Sequence, residues 1–220
     1  MTPSWTILGL DLSGPSSPER TAAALFEGDE NFLKLTTFRI KAGDEEILEI
    51  FHSQGFDSPV FIGIDAPLSY QPGGGDREGD RQLRSLLTGR GLPSGTVMTP
   101  TMTRMAYLTL RGISVVRLLE KFSEDSGSLS IAEVHPGGAL LLHGAPRDFA
   151  LNFKHSLSIR SQLLVWLEEQ GLLGARSLPA DSDHLVAACG AALAAWKWAA
   201  GNPAWIYPAD PPFHPYPIIC

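Results

Sequence analysis

The sequence predicts a mixed α/β domain spanning residues 1–220, and three observations carry that reading. Two short apolar runs, 5–10 and 59–64, each stop at an aspartate, Asp11 and Asp65, as strands buried on both faces do. Two further β-rich runs, 21–26 and 32–40, flank the polar turn at 27–31, so the chain opens as a three-stranded meander. Finally, residues 183–200 form a helical segment rich in alanine, whose small side chains allow close packing on a sheet.

The elements follow in order. Strand one runs to Asp11 and is closed by the turn at Gly14-Pro15-Ser16-Ser17-Pro18. After the meander, Ile47, Leu48, Ile50 and Phe51 recur at helical spacing over 44–52, and this helix leads into the strand that ends at Asp65. The region 71–102 reads as an inserted flap, with Gly73-Gly74-Gly75 as a link and a polar helix over 77–87 carrying Arg77, Arg81 and Arg84. A long helix over 102–122 precedes a short strand, 129–134, that carries Glu133 and stops at His135-Pro136. Helices over 156–170 and 183–200 come next, then a possible edge strand at 204–207 and a proline-rich tail, 208–220. No internal repeat is present.

Composition narrows the function classes. With 44% hydrophobic residues the chain can bury a proper core, which argues against disorder. The 24 acidic residues exceed the 17 basic ones, for a formal charge of -7, so non-specific grip on a polyanion is not expected from charge. Two cysteines, Cys189 and Cys220, support neither a disulfide framework nor a cysteine zinc site. The opening Met1-Thr-Pro-Ser-Trp lacks the positive region of a signal peptide, and no apolar run has the length of a bilayer span. A cytoplasmic protein with no membrane partner is the expectation. Oligomeric state is not legible.

Carboxylates at strand ends carry the chemical reading. Ligands bind beyond the carboxyl ends of strands in α/β sheets, so Asp11, Asp65 and Glu133 are expected to converge, joined by Asp183 at a helix start. Like charges gathered there call for a hard divalent cation, Mg²⁺ or Mn²⁺, and these four acids are the candidate catalytic and metal-binding residues. Asp181 is a weaker candidate. Each has an ordinary reading beside the catalytic one: a turn aspartate for Asp11 and Asp65, a buried ion pair for Glu133, a helix cap for Asp181 and Asp183. Arg77 and Arg81 are candidate substrate-binding residues for a phosphate, although spacing of three and four also describes a solvated helix face. His135 reads as a general base or as a structural hydrogen bonder. His143, His155 and His214 carry less signal.

Five motifs in order, Gly9-Leu-Asp-Leu-Ser13, Gly63-Ile-Asp-Ala-Pro-Leu-Ser69, Arg77 with Asp80-Arg81, Glu133-Val-His-Pro136 and Asp181-Ser-Asp-His-Leu-Val-Ala-Ala188, resemble the domain of unknown function 429 family of predicted nucleases over most of the chain. The resemblance implies a ribonuclease H-like fold: a mixed sheet with an antiparallel β1-β2-β3 meander, flanked by helices, with an acidic site near the first and fourth strands. It also implies Asp11, Asp65, Glu133 and Asp183 as metal ligands. His184 departs from the family pattern, which has a smaller residue there; proton transfer and simple solvent exposure are both open to it.

The expected function is metal-dependent phosphodiester hydrolysis, by a nuclease acting on nucleic acid or on a small phosphoester. Two alternatives differ in class. An ATP-dependent phosphotransferase of the actin-like superfamily would share the sheet and the Asp11-Leu-Ser-Gly14 hairpin, but the chain is short for it and lacks a second glycine-rich phosphate hairpin. A non-catalytic scaffold would use the tail, Trp205 to Pro217, for docking.

Overall fold

The computed structural model describes residues 4–53, 58–123 and 129–220. Residues 1–3, at the start read above for a signal peptide, lie outside them. Eight strands and seven α-helices are present among the described residues. The strands are β1 (Trp5–Asp11), β2 (Ala22–Gly28), β3 (Leu33–Ile40), β4 (Val60–Asp65), β5 (Leu129–Val134), β6 (Leu172–Leu173), β7 (Ile206–Tyr207) and β8 (Ile218–Ile219). They form one mixed sheet in the order β6-β3-β2-β1-β4-β5-β8-β7.

The meander is antiparallel, as expected, with Trp5 opposite Gly28 and Asp11 opposite Ala22. Strand β4 then pairs with β1 in parallel, and β5 with β4. This is the pairing that a helical crossover produces, and the crossover is α1 (Asp44–His52) between β3 and β4 and α3 (Thr103–Phe122) between β4 and β5. Both helices lie on one face. Ile47, Ile50 and Phe51 of α1 and Val115, Val116 and Leu119 of α3 bury against Leu8, Leu10, Ile62 and Ile64 there.

The opposite face is covered by α7 (Asp183–Ala199), with α6 (Leu157–Glu169) beside it. Strand side chains alternate, so this face receives Ile7, Gly9 and Asp11 from β1 and Phe61, Gly63 and Asp65 from β4. Helix α7 approaches very closely: a Cβ on Gly9 would stand 2.0 Å from the carbonyl oxygen of Ala188, and one on Gly63 2.4 Å from that of Ala191. The alanines that marked this helix in the sequence thus have glycines opposite them. The close seat sets the start of α7 beside the two aspartates.

Some elements were not foreseen. Helix α4 (Pro136–Leu142) begins Pro-Gly-Gly, which reads locally as a turn, yet its five first residues are buried. What starts it is a cap: His135 Nδ1 accepts the Gly138 N–H at 2.8 Å, and Pro136 supplies a first-turn residue without a donor to lose. Helix α5 (Arg147–Asn152) follows directly. The proline-rich tail is likewise part of the sheet, because Ile218 and Ile219 pair with Glu133 and Val134 while Ile206 and Tyr207 pair back on them. Ile218, Ile219 and Cys220 are buried, so the last residues of the tail belong to the core.

The predicted flap contains α2 (Glu78–Gly89), whose Leu83 and Leu87 pack into a third cluster with Val134 and Ile218. Its far limb is tied by Arg84, which binds Asp76 at 2.5 and 2.9 Å and the Val97 carbonyl at 3.0 Å. That bond holds the Asp76 carboxyl well down, at about 2, with a further bond from Thr99. Replacing Asp76 with Asn is expected to destabilise the fold by about 2 kcal/mol at neutral pH, measured by urea unfolding. Because the depressed carboxyl stabilises only while ionised, the gap between parent and variant should close as pH falls below 4 toward 2.

Candidate active site

Asp11 and Asp65 end neighbouring parallel strands and are paired with each other in the sheet register. A strand that stops at the same level as its neighbour delivers both last side chains to the same face, here the face of α7. They open into a cleft of about 620 Å³ at the carboxyl ends of β1, β4 and β5. Asp183, Lys154 and His184 line the same cleft. Residues 92–98, from the far limb of the flap, contribute to its lining.

The electrostatics follow from burial. Asp11 is 8% exposed, and loss of solvent pushes its carboxyl up to about 7, with the like charge of Asp65 adding to the rise. Burial raises Asp65 as well, opposed by the Lys154 ammonium and by His135 and His184. His184 donates its Nδ1–H to Asp11 Oδ2 at 2.8 Å, and that bond raises the imidazole above its usual value. Of the two roles open to His184 from sequence, simple solvent exposure does not describe it: the side chain is a direct partner of Asp11 and only about a third exposed, at 32%. Asp183, the first residue of α7, stands with its Oδ1 4.0 Å from His184 Nε2. The helix cap is Ser182, whose hydroxyl accepts the Leu185 N–H. Asp181 does not line the cleft.

Glu133 is placed differently. It too lines the cleft, but it pairs with Ile64, one residue short of Asp65, so its side chain leaves from the opposite face of the sheet. There it meets Arg77: Nη1 to Oε2 at 2.7 Å and Nη2 to Oε1 at 2.5 Å, with the Leu68 N–H donating to Oε2 at 2.8 Å. Arg77 also binds Asp80 through Nε at 3.0 Å and Nη2 at 2.7 Å, and Ser69 through Nη1 at 3.1 Å. All five guanidinium donors are thereby used, which leaves none for a phosphate. Arg81 faces solvent, more than half exposed, and pairs with Glu78. The two arginines chosen from sequence are thus an internal tie and a surface residue, and the permanent cations that line the cleft among the described residues are Lys154 and Arg20.

Other predicted residues also find places. His135 lines the cleft but is engaged at both ring nitrogens, Nδ1 by the Gly138 N–H and Nε2 by the Thr96 carbonyl at 2.9 Å. It therefore carries its proton on Nε2 and ties the far limb of the flap to α4. His214 bonds Ser69 at 2.9 Å. His143 and His155 do not line the cleft. Lys154 was missed by sequence reading because nothing local marks it; only the fold of α5 and the residues after it carries it to the aspartates.

Among the described residues, no three His, Cys, Asp or Glu side chains are grouped so as to hold a metal ion. Two buried carboxylates side by side remain a suitable donor set, because Mg²⁺ takes one or two carboxylates and completes its shell with water and substrate oxygens. No helix among the described residues is long and apolar enough to cross a membrane. No curated protein and no solved structure matches the chain. The family model described as protein of unknown function (DUF429) matches residues 9–212, a span that takes in every residue lining this cleft except Ile218, and the chain belongs to that family.

Proposed function

We propose that the protein is a phosphodiester hydrolase of the nuclease kind, working with Mg²⁺ or Mn²⁺ on Asp11 and Asp65, and that its sheet is of the ribonuclease H type. The observation that carries this is the in-register pair of carboxylates at adjacent strand ends, both raised by burial, Asp11 further by the like charge of Asp65. Such a pair is costly when ionised and is relieved by a cation. The strand order β3-β2-β1-β4-β5, antiparallel through the first three and parallel thereafter, supports the fold assignment.

When bound, the cation supplies Lewis acidity and a more acidic water. The chain's own residues do the remainder. Asp11 and Asp65 hold the ion, and Lys154 draws a phosphoryl oxygen toward them. His184, fixed by its bond to Asp11, keeps Nε2 for exchanging a proton at the leaving oxygen. Asp183 steadies the charged form of that imidazole.

The pH dependence has a definite sign. A carboxyl held at about 7 in the folded chain, against 3.8 ordinarily, keeps its proton longer in the native state, so this group makes stability fall as pH rises from about 4 to 7. Mg²⁺ should therefore raise the melting temperature at pH 8 and leave it unchanged at pH 5. Asp11→Asn should melt higher than the parent at pH 8 without metal, lose the response to Mg²⁺, and lower Mg²⁺-dependent hydrolysis of bis(4-nitrophenyl) phosphate by about a hundredfold. Equal hydrolysis by parent, Asp11→Asn and Asp65→Asn would refute the proposal. Tight ATP binding without hydrolysis would favour a phosphotransferase.

A further inference from the structure

We infer that the cleft takes a small phosphoester, one bearing one or two phosphate groups and an apolar or aromatic substituent, rather than the body of a nucleic-acid strand. The inference rests on the hydrolase reading and concerns what that site accepts. Three observations lead to it.

The first is charge. The permanent cations lining the cleft among the described residues are Lys154 and Arg20, with His184 a titratable third, and of the two Lys154 is the one whose charge acts on both Asp11 and Asp65. Two cations answer one or two phosphates. A groove that tracks a strand needs a basic stripe, and several arginines that could have formed one are consumed elsewhere: Arg77 by Glu133 and Asp80, Arg84 by Asp76, Arg111 by Asp44 and Thr21, Arg160 by backbone carbonyls. The whole chain, at -7, adds repulsion.

The second is size. About 620 Å³ lies within the roughly 300–1,000 Å³ of sites that bury a small molecule. The third is the lining itself. Leu92, Val97, Met98, Met105, Leu108 and Phe153 give the cleft a substantial apolar wall beside the carboxylates. Methionine and phenylalanine suit a flat aromatic group such as a nucleobase or an aryl ester. Carboxylates and a cation in one cleft with this apolar surface suit a nucleotide-sized ligand.

The test compares substrates and salt. Hydrolysis of bis(4-nitrophenyl) phosphate, a dinucleotide, a 20-nucleotide single strand and a duplex is measured with Mn²⁺ from 50 to 400 mM NaCl, and adenosine monophosphate binding is followed by calorimetry. The expected result is kcat/KM per scissile bond at least tenfold higher on the two small substrates than on either polymer. Their log kcat/KM should fall with log salt no more steeply than two phosphate contacts allow, a slope of about -1.4. Lys154→Met should raise KM about tenfold with the melting temperature unchanged. Preference for a polymer, or a slope of -3 or steeper, overturns the inference and leaves the hydrolase reading standing. Nucleotide binding without turnover of any substrate overturns the hydrolase reading and retains the ligand class, and loss of both binding and turnover overturns both.

Discussion

Replacing Arg77 with Ala is expected to destabilise the protein by about 3–5 kcal/mol, the cost of leaving buried charge without its partner. The side chains of Arg77 and Asp80 are each 4% exposed and that of Glu133 is 11% exposed, so removal of the guanidinium strands two carboxylates in the protein interior at once. Glu133→Gln, which keeps shape and leaves the Asp80 bonds intact, should cost less than Arg77→Ala. Substituting the whole set, Arg77→Met with Glu133→Leu and Asp80→Asn, should recover much of the loss, because ion pairs replaced by apolar groups of similar volume are often neutral. Urea unfolding of the three variants beside the parent checks the order. The same series bears on function: a Glu133→Gln protein as stable as the parent but unable to use Mg²⁺ would mean that Glu133 is a metal ligand and not the structural partner of Arg77.

The second large effect is steric. Gly9→Ala places a methyl group where the Ala188 carbonyl oxygen, the Ala192 nitrogen and the Ala192 Cβ would stand at 2.0, 2.6 and 2.9 Å. Backbone on both sides leaves no flexible side chain to give way, so α7 must lift from the sheet at a cost of about 3 kcal/mol. Gly63→Ala, facing the Ala191 carbonyl at 2.4 Å, should cost a similar amount. Gly14→Ala, with nothing within 4 Å of the added methyl, is the control and should stay within about 0.5 kcal/mol of the parent. Since α7 carries Asp183 and His184, the first two variants should also weaken the His184–Asp11 bond. An NMR titration of the imidazole would then show the His184 pKa moving down toward its ordinary value.

Much of this architecture was readable in the residues. The apolar runs ending at Asp11 and Asp65, the polar turn of the meander and the alanine-rich helix are local patterns, and each became the element it suggested. Asp11 and Asp65 could be paired because two equivalent strand ends in one sheet lie level. Glu133 also reaches the lining of the cleft, but by a different route. From sequence it is one more acid at a strand end, but a register displaced by a single residue turns its side chain to the other face, and register is set by packing that no local pattern records. Arg77 was misplaced, Lys154 passed over and His184 left open between two roles for the same reason: the partners of Arg77 and His184 lie 56 residues away at Glu133 and 173 residues away at Asp11. Helix α4 was hidden by its glycines, which locally favour a turn and are carried here by a cap and by burial.

The segment over the cleft has a consequence for how ligands arrive. It is fastened at its near end by Arg77 to β5 and at its far limb by the His135 bond to Thr96, and Arg84 braces the two limbs against each other through Asp76 and Val97. A cover pinned at both ends and braced within is a wall and not a door. The site is built as a standing niche, already shaped before anything enters, and its selectivity comes from what fits between fixed sides rather than from a closure that follows binding.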